Sequence, residues 1–199
     1  MHSDTPKFET VTEAQRRKSR EAPTARRGAL TRRAALKRLT ALGLATGVVG
    51  TTARANDLHV GERAPPATLV TLDGQKLSTP ELVGNVVILT FWATWCAPCR
   101  DELPLLSKYA TEHASQGLRV LGFSLDLPGE IKAVRAVAMS LSFPNGLLAN
   151  SSAPGYGRIW RLPVSFTIDR AGRLVDDGWR DKKPVWTAER LASVVTPLL

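Results

Sequence analysis

Apolar positions in residues 56–199 follow two different periods, which predicts a mixture of strands and helices. Residues 86–92 are apolar almost throughout, as expected for a strand buried on both faces, and residues 119–125 have the same character. A helical pattern over residues 98–115, ended by Gln116-Gly117, separates these two runs. Strand, helix and strand in this order predict a parallel crossover unit.

Shorter elements surround this unit. An Asp-Gly turn at residues 73–74 lies between two short runs of strand-forming residues. This pattern predicts a β-hairpin that precedes the crossover unit in the chain. A second helix opens at Pro128-Gly129 and extends to about Leu141. The remaining predictions are helical turns over residues 79–82 and 156–161, strands over residues 164–168 and 173–175, and a last helix capped by Thr187. The elements together predict an α/β fold with a mixed, mostly parallel central sheet, an antiparallel final pair and helices on both faces.

The only two cysteines of the chain, Cys96 and Cys99, directly follow the first buried strand. If the helix begins near Cys96, the i, i+3 spacing puts both sulfur atoms on one helix face, with Cα atoms roughly 5 Å apart. That separation lies within the range that a disulfide requires. The pair therefore predicts a redox-active dithiol that opens and closes with little backbone movement.

Other uses of a Cys-x-x-Cys motif fit the neighbouring residues less well. Covalent haem attachment needs a histidine after the second cysteine, where this chain has Arg100. A zinc site needs two further closely spaced ligands, whereas His59 and His113 lie 54 residues apart, so no metal or cofactor is expected. A stapling disulfide across two residues would remove little loop entropy. A peroxide-reducing cysteine of the peroxiredoxin type stays an alternative, although Thr94 precedes Cys96 by two residues instead of three.

The positive charge of the chain is concentrated at its N-terminus. Residues 1–55 hold 12 Lys and Arg against 4 Asp and Glu, a net charge of +8, and the remaining residues hold 15 against 14, a net charge of +1. Nucleic acid is therefore not expected as a partner. A weakly apolar run over residues 39–52 follows Arg32 and Arg33, and it closes with Ala53-Arg54-Ala55, a small-x-small cleavage signature.

This order of charge, apolar run and cleavage signature predicts an export signal over residues 1–55, cleaved after Ala55. The signal resembles the twin-arginine class, because residues 31–37 read Thr-Arg-Arg-Ala-Ala-Leu-Lys, with Ala35 in place of the usual Phe. The resemblance implies the twin-arginine translocase as a partner and the periplasm as the compartment, where disulfides persist. An uncleaved leader that anchors the protein to the membrane is the alternative. Residues 56–199 then form one domain.

The segments around the dithiol resemble the thioredoxin superfamily, specifically its TlpA/ResA/CcmG-like branch of exported thiol-disulfide oxidoreductases. The resemblance rests on residues 60–65, 91–104 and 162–169, in the order of the family. It implies a thioredoxin-like fold, with the helix after Pro128 as the insertion of this branch. It also implies a protein-disulfide oxidoreductase that acts on cysteine-bearing proteins, for example in cytochrome c or oxidase copper-site maturation. A membrane electron donor such as a DsbD/CcdA-like protein would recharge it.

The same resemblance assigns roles to individual residues. Cys96 is the attacking thiol, Cys99 the resolving thiol, and Pro163 the cis-proline that faces their disulfide. Glu102 is the acidic residue near the site. Plain thioredoxin has a buried Asp where this chain has Thr90, so proton handling falls to Glu102 or to water. The residues expected to contact the substrate are Trp95, Ala97, Pro98 and Leu162.

The sequence does not decide in which direction the dithiol transfers electrons, or whether the protein turns over its partners catalytically. The resemblance favours a reductant of partner disulfides, and a periplasmic disulfide oxidase is the enzymatic alternative. A binding or assembly factor could instead hold cysteine- or copper-bearing partners without turnover. Copper(I) suits thiolate pairs, but the chain has no methionine cluster, with only Met1 and Met139 present.

Export should depend on Arg32 and Arg33. Replacing both with lysine keeps the charge but removes the twin-arginine motif, so the precursor should accumulate in the cytoplasm. Cell fractionation followed by immunoblotting measures this. The same change at Arg26 and Arg27, which lack the following Leu-Lys, is the control and should leave export intact. Normal export of the Arg32/Arg33 variant would instead indicate the general secretory route.

Overall fold

Seven strands and three α-helices form the structure of residues 58–199, the part of the chain that the computed structural model describes. The predicted leader and its cleavage site lie outside these residues. No helix within residues 58–199 has the length and apolar character of a membrane span. The strands are β1 (Thr68–Val70), β2 (Lys76–Ser78), β3 (Val86–Trp92), β4 (Leu118–Ser124), β5 (Asn145–Leu147), β6 (Val164–Ile168) and β7 (Leu174–Asp177), and the α-helices are α1 (Ala97–His113), α2 (Ile131–Ala138) and α3 (Ala188–Val194).

Strands β3 to β7 form one sheet in the order β5-β4-β3-β6-β7, and β1 pairs with β2 as the predicted hairpin. β3 lies parallel to β4 with α1 between them, which confirms the crossover unit. The β4-β5 pair is also parallel, whereas β3-β6 and β6-β7 are antiparallel. The described sheet is therefore mixed, as predicted. It has two parallel and two antiparallel strand pairs, so it is not mostly parallel. The sequence does not predict β5, because it spans three residues and contains Gly146.

β3 lies at the centre of the sheet because it is apolar on both faces. All seven of its residues are buried. Successive side chains of a strand point to opposite faces, so β3 contributes to two separate cores. Val86, Ile88 and Trp92 join one of them, and Val87, Leu89 and Phe91 join the other.

All three α-helices bury apolar side chains in the core that holds Trp92. Leu106 of α1, Val134 of α2 and Leu191 of α3 belong to this core. The opposite core is closed by Leu69 of the hairpin and by Tyr156. α-Helices therefore cover only one face of the described sheet, and the helices of the other face are short 3-10 turns such as Pro154–Tyr156. The hairpin and the segment around Tyr156 fill the second face instead.

Two predicted elements differ in extent from the observed ones. The helix expected from Pro128 to Leu141 is a 3-10 turn, Pro128–Glu130, followed by α2, which ends at Ala138. The helical turn predicted over residues 156–161 is wrong: the turn is Pro154–Tyr156. It begins at Pro154, whose ring suits a first helical position, and it ends at Gly157, where φ is +77°. The other predicted elements are confirmed to within a few residues, including the Thr187 cap of α3.

A buried side-chain hydrogen bond links the central strand to the edge strand β5. Trp92 Nε1 donates to Asn145 Oδ1 at 3.0 Å, and Asn145 Nδ2 donates to the Phe143 carbonyl at 2.8 Å. Asn145 is itself buried, so no bulk water can replace either bond. This asparagine therefore satisfies the indole N–H in the core.

Replacing Asn145 with alanine should lower the free energy of unfolding by about 2–3 kcal/mol, because the indole N–H loses its acceptor in a buried site. Urea unfolding followed by circular dichroism measures the change. Asn150 is exposed and offers a matched control, for which Asn150→Ala should stay within about 0.5 kcal/mol of the parent protein. An effect equally small for Asn145→Ala would contradict the importance of this bond.

Candidate active site

Cys96 and Cys99 form a disulfide at the N-terminus of α1, with Cα atoms 5.3 Å apart, as the spacing predicts. Cys96 is the N-cap residue of the helix, and its Sγ accepts the Cys99 N–H at 3.3 Å. The positive end of the helix dipole and this N–H group both stabilise negative charge on the Cys96 sulfur. The local helix geometry therefore favours Cys96 as the thiolate.

The two cysteines differ in accessibility. Cys96 is 6% exposed, whereas Cys99 is fully buried. Cys96 is therefore the more accessible of the two cysteines. Among the predicted contact residues, Trp95, Ala97 and Pro98 are exposed and Leu162 is partly buried.

The Leu162–Pro163 peptide bond is cis, as predicted. Phe91 of β3 pairs with Val164, the first residue of the antiparallel strand β6. Pro163, which directly precedes β6, is therefore level with Trp92. The dithiol loop leaves β3 at the same end. Leu162 packs against the apolar cluster that contains both cysteines. The structure thus brings together the two segments on which the predicted site depends.

Glu102 lies one helical turn after Cys99 and is 2% exposed. Its Oε2 accepts the Trp186 N–H at 2.7 Å, and its Oε1 has no hydrogen-bond partner within residues 58–199. Burial raises the pKa of Glu102 to about 7, against the opposing effects of the Trp186 hydrogen bond and the Arg190 charge. A carboxyl group with a pKa near 7 suits proton exchange with a neighbouring thiol at neutral pH.

Thr90 is fully buried, on the face of the sheet that packs against α1. It pairs with Ser165 across β3 and β6, and neither hydroxyl has a hydrogen-bond partner within the described residues. A hydroxyl does not titrate near neutral pH. Glu102 is therefore the one group of these three that can take up or release a proton near neutral pH.

Asp126 is a site residue that the sequence analysis misses. Its Oδ1 accepts the Thr94 hydroxyl at 2.5 Å, and its Oδ2 accepts the Thr94 N–H at 3.0 Å and the Ser124 hydroxyl at 2.6 Å. Ser124 ends β4 beside Trp92, so the sheet delivers Asp126 to the base of the dithiol loop. The signal that could have found it is an acidic residue just after the second strand of a crossover unit.

Comparison with known proteins places these features in one family. A profile of the AhpC/TSA family matches residues 60–176. The thiol-disulfide oxidoreductase ResA of a Bacillus cereus strain is 30% identical to this chain over 146 residues, which cover 70% of this chain and 84% of that protein.

Solved structures give the same result for the fold. A thiol:disulfide interchange protein of the thioredoxin family from Chlorobium tepidum TLS has a TM-score of 0.50 and 28% identity, covering 60% of this chain and 86% of that one. A secreted Mycobacterium tuberculosis disulfide oxidoreductase, homologous to E. coli DsbE, has a TM-score of 0.55 and 22% identity, covering 66% and 95%. The predicted thioredoxin-like fold is therefore confirmed.

Stability should depend on pH through Glu102. The folded-state pKa of about 7 lies above the ordinary value of 4.5, so folding favours the protonated carboxyl group. Its contribution is complete below pH 4.5 and is lost as the pH rises through 7, a change of about 3 kcal/mol. Glu102→Gln should remove this dependence, which urea unfolding at pH 4.5 and pH 8 measures.

The exposed Glu112 provides the control for this prediction, and Glu112→Gln should retain the pH dependence of the parent protein. Thiol-disulfide exchange by Glu102→Gln should also be slower near pH 7, because the proton acceptor is gone. If Glu102→Gln keeps the stability profile and the exchange rate of the parent protein, the carboxyl group is an ordinary helix charge.

Proposed function

Because the chain belongs to the AhpC/TSA family and is a thiol-disulfide oxidoreductase of the ResA type, we propose that it is an exported reductant of partner-protein disulfides. The observation that carries this direction is a pair of buried carboxyl groups beside the dithiol. Glu102 and Asp126 are each 2% exposed. Glu102 lies on the helix that carries Cys99, and Asp126 is bonded to Thr94 in the loop before Cys96.

The Asp126 carboxylate, and Glu102 when it is ionised, oppose the effect of the helix N-terminus. Thr94 and Cys96 are separated by one residue, so their Cα atoms lie at most about 7 Å apart. The hydrogen-bond partners of Asp126 are neutral groups, namely Thr94 and Ser124. A buried negative charge disfavours a nearby thiolate, because repulsion is weakly screened inside a protein. The dithiol is destabilised relative to the disulfide, which is the condition for a reducing couple.

Reduction of a partner begins at Cys96. Its thiolate attacks one sulfur of the partner disulfide, a Cys96-partner S–S bond forms, and the partner S–S bond breaks. The displaced partner thiolate takes up a proton from solvent. The accessibility of Cys96 beside the exposed Trp95 and Pro98 supports this order of events.

Cys99 completes the reaction. Its thiol gives a proton to Glu102, and the resulting thiolate attacks the Cys96 sulfur. The Cys96–Cys99 disulfide forms and the second partner thiolate leaves, taking up a proton. Two electrons have then moved from the protein to the partner, and the two protons that the partner gains balance those that Cys96 gave to solvent on ionising and Cys99 gave to Glu102. Pro163 directly precedes β6, at the end of the sheet where the dithiol lies. There it would support the partner segment.

The reduced form has to be regenerated by a donor dithiol. We assign this role to a membrane electron donor of the DsbD/CcdA-like kind, because a periplasm supplies no reducing pool. The leader pattern of residues 1–55 supports export by the twin-arginine translocase to the periplasm, where an uncleaved leader would act as an anchor. Cysteine-bearing proteins of cytochrome c or copper-site maturation are the proposed partners.

The reduction potential tests the direction of electron flow. We expect a value nearer that of thioredoxin, about −270 mV, than that of DsbA, about −120 mV. Asp126→Asn removes the buried charge and should raise the potential by about 20–40 mV, because one pKa unit of a thiol corresponds to roughly 30 mV for two electrons. Equilibration of the full chain with dithiothreitol and glutathione series, read by alkylation, measures both values.

The exposed Asp101 in the first turn of α1 is the matched control, and Asp101→Asn should change the potential by much less, because water screens its charge. Cys99→Ser should trap partners as mixed disulfides on Cys96, whereas a binding factor without turnover would work without a resolving thiol. A potential near that of DsbA, with no effect of Asp126→Asn, would reverse the assignment to disulfide formation.

A further inference from the structure

An exposed tryptophan stands beside the cis-proline loop. Trp160 is 72% exposed, and it lines a shallow cavity of about 340 Å³. The cavity is lined by Arg158, Trp160, Asp177, Trp179 and Arg180, with Leu58 at its edge, and we call these residues the Trp/Arg surface.

The Trp/Arg surface lies at the same end of the sheet as the dithiol. Trp160 precedes Leu162 by two residues, and the pairing of Phe166 with Asp177 places Trp179 level with Val164 when the register is continued. β7 is two strands away from β3, a separation of about 10 Å. An extended partner segment crosses that distance in about three residues. A segment bound at Cys96 therefore reaches this surface within a few residues of its own cysteine.

The tryptophans are held in a fixed arrangement. Trp160 stacks on Trp179 with ring centroids 5.5 Å apart and planes at 9°, and Trp179 Nε1 donates to the Tyr156 carbonyl at 2.8 Å. The Arg161 guanidinium lies 5.6 Å and 5.7 Å from the two rings. It also donates to the carbonyls of Trp179 and Asp181 at 3.0 Å and 2.9 Å. A side chain that is already ordered loses little entropy when a partner binds.

The charge of the surface is positive. Arg158 is exposed, and no ion pair or hydrogen bond engages its side chain among residues 58–199. Arg180 contacts Asp177 at 3.2 Å, which leaves Arg158 without a counter-charge at the cavity. The nearby Asp181 is already paired with Arg190, at 2.9 Å. The surface therefore combines a free guanidinium with an exposed apolar ring.

We propose that the Trp/Arg surface binds an acidic segment of the partner protein, a few residues from the cysteine that Cys96 attacks. Arg158 attracts the carboxylates, and Trp160 packs against the apolar parts of the same segment. This inference rests on the proposed function, because it concerns the partner proteins of the dithiol. It assigns their chemical class: targets whose reactive cysteine is flanked by Asp or Glu.

The test uses three synthetic peptides with the same intramolecular disulfide, flanked by three Glu, three Gln or three Lys residues. The reduced full chain is mixed with each peptide, and the second-order rate constant of exchange is measured by stopped-flow fluorescence. We expect the Glu peptide to react about tenfold faster than the Gln peptide, and the Lys peptide more slowly than both. Arg158→Ser should lower the Glu-to-Gln ratio about fivefold without changing the rate for the Gln peptide.

Lys132→Ser is the matched control, since Lys132 is an exposed cation on α2, next to the opposite edge of the sheet. Lys132→Ser removes one positive charge, as Arg158→Ser does, and both variants keep the basic leader. A general attraction of the Glu peptide to the positively charged chain therefore affects both variants equally. Trp160→Ala should lower the second-order rate constants for both the Glu and the Gln peptide. All variants should react normally with 2-hydroxyethyl disulfide, which reports the dithiol alone.

The outcomes separate the two proposals. Equal rates for the three peptides, or an equal loss of ratio in Arg158→Ser and Lys132→Ser, would overturn the acidic-segment proposal and leave the reductant function standing. A failure to reduce any peptide while 2-hydroxyethyl disulfide still reacts would contradict the reduction of protein disulfides, and this inference with it.

Discussion

The burial of β3 on both faces is the constraint on which the rest of the structure depends. A strand can be covered on two sides only when both sets of alternating side chains are largely apolar, and β3 meets that condition at every position except Thr90. It therefore takes the central place, with β4 on one side and β6 on the other. Everything that the site needs is attached to the same end of these three strands.

That end combines groups that lie far apart in the sequence. β3 delivers the dithiol and the start of α1, β4 delivers Asp126, and β6 begins after the cis bond at Pro163. The helix N-terminus favours the Cys96 thiolate, whereas the buried Asp126 carboxylate, and Glu102 when it is ionised, oppose it. The balance between these two effects sets how strongly the dithiol gives up its electrons.

The sequence predicts the parts of this arrangement that depend on local pattern. The apolar run of β3, the Cys-x-x-Cys spacing and the Thr187 cap are local signals, and each is confirmed. The short strand β5 carries no local signal, because its place is determined by pairing with β4. Asp126 resembles any loop acid until β4 brings it beside Thr94. The cis bond at Pro163 is expected from the family resemblance, and proline chemistry alone would not have predicted it.

The complete burial of Cys99 also protects the dithiol from chemical damage. Oxidants in solution meet Cys96 first and convert its sulfur to a sulfenic acid, the reversible first stage of oxidation. Cys99 is shielded from the same oxidants, and it lies one helical turn away, in disulfide distance of Cys96. It condenses with the sulfenic acid and expels water before the irreversible sulfinic stage is reached. The oxidised sulfur is thus returned to the same Cys96–Cys99 disulfide that the structure contains.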